Sequence, residues 1–271
     1  MVVETSLAEN AQFQSLPVSA PGARSRNVMV RKLGAAFAGV VGALLSVQVI
    51  ERIGEVFVLP PDLASLGFGQ VPPPEVQAKL AAAVFFNTVG NAAIWMGSVG
   101  AILGICFFTA IAISGGIAGS RLRMIIAVVS ATAVFAAMAG VLGGWLDSIV
   151  RRNMSMGATS PSEQVVVLVH GIVWLVVGLG IGIGFTLGVR QQMRTRLESI
   201  VIIALFGMFG GCLFPIVAGV LLPAVNSGGS IPGLDPSEGR ILWLNLPSVL
   251  MGLAVGWRHS GDKLCTRDSD V

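Results

Sequence analysis

Six stretches of this chain contain no charged side chain: residues 33–50, 80–120, 124–146, 164–189, 199–234 and 241–257. A bilayer crossing needs roughly 20 apolar residues, within a range of about 17–25, and every stretch reaches that range. Soluble domains carry about 25% charged residues; this chain carries 11%, with 54% in the hydrophobic set. A single soluble core of this size has no room for so much apolar surface. The expected class is therefore an all-α integral membrane protein with six transmembrane helices. The spans are placed at about 33–50, 97–119, 124–146, 165–189, 199–222 and 240–257.

Six crossings put both ends of the chain on one side, and the basic residues divide accordingly. Arg24, Arg26, Arg31, Lys32, Arg121, Arg123, Arg190, Arg194, Arg196, Arg258, Lys263 and Arg267 fall on the side of the N-terminus. Arg52, Lys79, Arg151, Arg152 and Arg240 fall on the other. Cytoplasmic loops hold the excess of Lys and Arg, so both tails, 1–32 and 259–271, are expected in the cytoplasm. Residues 1–32 are polar and expected to be disordered. They lack the early apolar stretch of a cleaved signal, which makes the first span an uncleaved anchor and suits a bacterial inner (plasma) membrane. The net charge of +3 is explained by this topology, and no nucleic-acid partner is expected. Cys106, Cys212 and Cys265 have neither metal-ligand nor disulfide spacing. No cofactor is implied.

Three signals recur three times in the same order, which predicts three tandem helical hairpins related by a pseudo-threefold repeat. Ala38-Gly39-Val40-Val41, Ala139-Gly140-Val141-Leu142 and Ala218-Gly219-Val220-Leu221 lie in odd-numbered spans. Pro73-Pro74-Glu75, Pro161-Ser162-Glu163 and Pro236-Ser237-Glu238 resemble helix starts, with proline at the first position and glutamate following. The third signal is a glycine pair followed by arginine: Gly115, Gly119 and Arg121; Gly184, Gly188 and Arg190; Gly252, Gly256 and Arg258. Small residues four apart let helix backbones approach closely, so these glycines are read as helix-packing positions.

The first hairpin is too long. From Glu75 to Arg121 a continuous helix would run about 69 Å at 1.5 Å per residue, far beyond one crossing. Residues 51–96 therefore form an outer-side segment, with 75–96 extending outward, lying at the interface or broken near Asn87, Gly90 and Asn91; the alternative is a re-entrant pair within 80–120. Trp95, Trp145 and Trp243 are expected near the outer interface and Trp257 near the inner one. Pro215 and Pro247 are expected to kink or end their helices.

Ionisable residues within spans are the usual functional flags, and few occur here. His170 is a candidate proton relay or substrate contact, or else a hydrogen-bonded interfacial histidine. Asp147, followed by Arg151 at i+4, is either locally paired or part of an acidic outer mouth with Glu51 and Glu55. No catalytic or metal-binding motif is present, so an enzyme is not expected. Two function classes follow. The first is a non-catalytic structural or partner-binding membrane protein whose lipid-embedded spans support an outer contact surface on 51–96. The alternative is a small-solute or ion transporter or channel with a path between the hairpins.

Overall fold

The computed structural model describes residues 21–64, 73–114, 121–155, 163–187, 193–221 and 237–261. Among these the chain is helical throughout, with no strand. The helices are α1 (Pro21–Ile53), α2 (Pro61–Ala64), α3 (Pro74–Ile113), α4 (Arg121–Ser155), α5 (Glu163–Leu187), α6 (Met193–Leu221) and α7 (Ser237–Gly261). All but the single turn of α2 contain a stretch long and apolar enough to cross a membrane, which gives six candidate spans.

One helix boundary differs from expectation, and one open alternative is decided. The polar N-terminal region is helical from Pro21, whereas irregular chain was expected through residue 32; residues 1–20 and 262–271 lie outside the described residues. Proline fits the first turn of a helix, and Ala, Arg, Met and Lys between it and the span have high helix propensity. The apolar helix therefore propagates backward instead of stopping at the first charge. α3 is one continuous helix of 40 residues, about 60 Å long. It runs without a break through Asn87, Gly90 and Asn91. Its first turn is capped by backbone alone, with Pro74 at N1 and the Pro73 carbonyl accepting from the Val76 and Gln77 N–H groups at 2.9 and 3.0 Å. Pro215 and Pro247 likewise sit inside α6 and α7, which continue past them.

The six long helices form a closed cycle of neighbours: α1, α3, α4, α5, α6, α7 and back to α1. The most extensive contacts are α3 with α4, α5 with α6 and α7 with α1; the intervening neighbours touch less. In lipid no hydrophobic force drives apolar helices together, so association rests on close packing and polar contacts. The glycines supply the close packing. Gly252 and Gly256 seat α7 against Ala35, Ala36 and Lys32 of α1, where an added Cβ would collide with backbone. Gly100 and Gly104 bring α3 onto Thr132, Val128 and Val129 of α4 in the same way, and Gly178 and Gly182 bring α5 onto Ala204 and Ile200 of α6. Gly184, expected to pack α5, packs it against Val128 of α4. Two residues are about 200° of helix rotation. The run of glycines at 178, 180, 182 and 184 therefore serves two neighbours on opposite flanks: α6 through Gly178 and Gly182, α4 through Gly180 and Gly184. Gly115, Gly119 and Gly188 lie outside the described residues.

Bulky side chains fill the interior. Trp174, Phe107, Phe185, Phe214, Met96 and Leu103 are among the largest that are fully buried. Outward-facing positions such as Phe37, Val134, Leu168, Phe209 and Val220 are apolar and exposed, consistent with contact with a lipid bilayer.

Candidate functional site

Two places concentrate polar groups that the bundle must account for. The first lies where α5, α6 and α7 converge. α5 and α7 are second neighbours in the cycle, yet they touch over α6. Gly207, Gly210 and Gly211 keep that face of α6 low, with Gly207 against Met251, Gly210 against Pro247 and Gly211 against Trp174. Large side chains from both flanks then meet. His170 is fully buried, and the Trp243 indole N–H donates to its Nδ1 at 3.0 Å. An indole nitrogen only donates, so Nδ1 is an acceptor and the imidazole proton resides on Nε2. His170 is thus held as a neutral side chain in one tautomer. Phe214 packs edge-on to His170 at 5.0 Å between ring centroids, and Trp174 packs edge-on to Trp243 at 5.3 Å. Offset and edge-to-face ring pairs are each worth about 0.5–1.5 kcal/mol beyond the area they bury.

This arrangement explains a residue that had no account. Trp243, expected near an interface, is buried inside the bundle, where His170 offers its indole N–H an acceptor. Trp174 is buried beside it, edge-on to the Trp243 ring. Trp145 and Trp257 remain half exposed, as residues at a membrane boundary would be. Trp174 Nε1 and Ser248 Oγ, also in this half of the bundle, are buried with no hydrogen-bond partner among the described residues.

The second place is the C-terminal end of α1. Gly54 closes that helix with φ +60°, the left-handed conformation that side chains disfavour, while its N–H still donates to the Ile50 carbonyl at 3.0 Å. The turn lays residues 54–59 along α3. There Asn87, Asn91 and Trp95 recur every four residues, which puts them on one helix face. The Trp95 indole N–H donates to the Gly54 carbonyl at 2.7 Å. The Asn91 side-chain oxygen accepts from the Val56 and Phe57 N–H groups at 3.0 and 2.8 Å, and its amide donates to the Phe57 carbonyl at 2.9 Å. Asn87, with its amide turned so that both ends are satisfied, accepts from the Leu59 N–H at 3.0 Å and donates to the Ala83 carbonyl at 3.2 Å. Gly90 leaves room for the Phe57 ring. The residues expected to break α3 are those that bind the connecting segment to it.

The remaining candidates are dispersed. Glu51 pairs with Arg240 of α7 at 3.8 Å. Glu55 is exposed. Asp147 is buried at 6% exposure on α4 and is engaged in an interaction of its own; the Arg151 side chain is outside the described side chains. α3 lies between α1, which carries Glu51 at its end, and α4, which carries Asp147. On the opposite end, the Arg258 guanidinium donates to Ser199 Oγ at 3.0 Å and the Thr195 carbonyl at 3.3 Å, and it meets Glu198 at 3.4 Å. Among the described residues no group of three or more His, Cys, Asp and Glu side chains could hold a metal ion.

No protein-family model, curated protein or solved structure matches this chain.

Proposed function

We propose that this chain is a non-catalytic structural membrane protein whose outer segment, residues 51–96, binds a partner. One observation carries the reading: the interior where the helices converge is occupied by the largest side chains of the molecule, brought together over glycines. An interior filled this way supports a scaffold rather than a solute path. The outer segment suits contact with a partner because the clamp on α3 fixes the backbone of 54–59 while Val58 is left 69% exposed, and Phe86 on α3 is 70% exposed.

On this reading the bundle consists of three related hairpins around a pseudo-threefold axis. The alternation of extensive and lesser contacts around the cycle supports the threefold order, with the tighter contacts joining helices of different hairpins. The glycine-arginine signal fits less well: Gly252 faces the tighter neighbour α1, and Gly184 faces the lesser neighbour α4. The third Ala-Gly-Val-Leu copy fits less well: Gly39 and Gly140 pack against helices, and Gly219 faces open space. The placement of Lys and Arg supports cytoplasmic termini, and a bacterial inner membrane is the proposed location.

A transport path is the second reading. The buried Trp174 Nε1 and Ser248 Oγ favour it, as polar groups a passing solute would satisfy. Reconstitution of the purified chain into vesicles loaded with a small anionic dye or with potassium decides between the two. Release no faster than from protein-free vesicles is expected. Release that rises with protein content, and falls when Ser248→Val is reconstituted instead, would sink the scaffold reading.

A further inference from the structure

We propose that the basic end of the α1–α7 groove is a binding site for an anionic phospholipid, with Lys32 holding the phosphate and the Leu33 and Phe37 face of α1 supporting an acyl chain. The inference does not depend on the scaffold reading.

It starts from charge. Arg24, Arg26, Arg31 and Lys32 occur within nine positions, and no acidic residue lies between Glu9 and Glu51. α1 runs unbroken from Pro21 through this stretch into its span. The cations are therefore carried on a rigid helix directly beside the membrane instead of on a loose tail. Clusters of four or more Lys and Arg adjoining a transmembrane helix attract anionic headgroups.

The packing of α7 then singles out Lys32. Gly256 lets the α1 backbone approach at Arg31 and Lys32. The Lys32 ammonium sits 5.7 Å from the centroid of the Trp257 ring, and Trp257 is 50% exposed. A cation over a tryptophan face at a helix end marks the headgroup level, where an indole is half wet and half apolar. Glu198, a carboxylate at the same end of the bundle, is met by Arg258, which lowers its competition for Lys32.

The apolar part of the site lies one turn into the span. Leu33 and Phe37 are four apart and so share a face, with exposures of 55% and 67%. Gly34 beside them has no atom within 4 Å of where a side chain would begin. A phosphate at Lys32 and a chain along this face is the arrangement a glycerophospholipid presents. A zwitterionic lipid offers the same chain, but its own ammonium opposes Lys32; the charge complementarity selects the anionic class.

The test uses the full chain in vesicles in which brominated phosphatidylglycerol or brominated phosphatidylcholine is the minor lipid, with tryptophan emission as the readout. Stronger quenching by the phosphatidylglycerol is expected, weakening at high salt. The preference should fall about fivefold in Lys32→Gln, the factor for roughly 1 kcal/mol per basic residue near an anionic surface. It should vanish in Trp257→Phe, which removes the reporter. Equal quenching of the unaltered protein by the two lipids overturns the proposal without recourse to any variant. A preference retained in Lys32→Gln overturns the role of Lys32, and one retained in Trp257→Phe places the lipid elsewhere and overturns the site.

Discussion

α3 and α5 each bury a hydrogen-bonding side chain in a helix packed on both flanks, and they use it differently. Asn91 of α3 binds backbone 34 and 35 residues away, in the segment that leaves α1. His170 of α5 binds the side chain of Trp243, 73 residues away on a helix that is only a second neighbour. The first fixes a connection to a helix that stands without it. The second is part of what holds three helices at one point. Removing a polar group should therefore have a local effect in one region and a bundle-wide effect in the other.

The largest expected break is Trp174→Ala. It empties the centre of the α5–α6–α7 cluster and removes the ring stacked on Trp243. A loss of about 3–5 kcal/mol is expected, as for other buried aromatic truncations, measured by denaturant unfolding in mixed micelles. A loss under about 1 kcal/mol would mean the cluster does not unite these helices. Next is Asn91→Leu, which keeps the volume but strands the Val56 and Phe57 backbone groups. Amide exchange at residues 55–59 should accelerate about tenfold or more, in line with roughly 1–3 kcal/mol for stranded polar groups, while protection in α5 to α7 stays unchanged. Exchange that accelerates in both regions would erase the contrast. The smallest effect is expected for Glu51→Gln. The partner Arg240 is 3.8 Å away and Glu51 is 36% exposed, so at most about 1 kcal/mol is at stake, and less at high salt. A larger loss would show that α1 and α7 depend on this pair as well as on their glycines.

The class and the number of helices were legible because lipid imposes a simple demand: a crossing must be apolar and long enough, and charge-free runs report that directly. Gly252 and Gly256 were legible as packing residues for the same kind of reason, since a spacing of four is a helix face. Their counterparts were not. Gly100 and Gly104 lie in a run of 41 uncharged residues, 80–120, and periodicity alone does not say which of several glycines meets a neighbour. Whether α3 breaks or continues at Asn87, Gly90 and Asn91 stayed open in the sequence because polar residues and glycine weaken an isolated helix; the compensating hydrogen bonds come from residues 56–59, and no local pattern contains them. The partner of Trp243 was hidden in the same way. An indole near the end of a span suits the interface, and only the fold brings His170 across the bundle to accept its N–H. His170 and Asp147 were visible as rare polar residues, but their surroundings belong to the fold.

The contact between α1 and α7 also has a consequence in time. The glycine-lined seat that receives α1 belongs to a helix made after every other span. Synthesis at about 5–20 residues per second needs on the order of 10–40 s to travel from Ile53 to Ser237. Throughout that interval the face of α1 bearing Ala35 and Gly39 has no partner, so nascent intermediates carry an open seam that lipid or an insertion factor must cover. Closing the cycle must wait for α7, and a ribosome stalled before it would leave five of the six candidate spans around a gap.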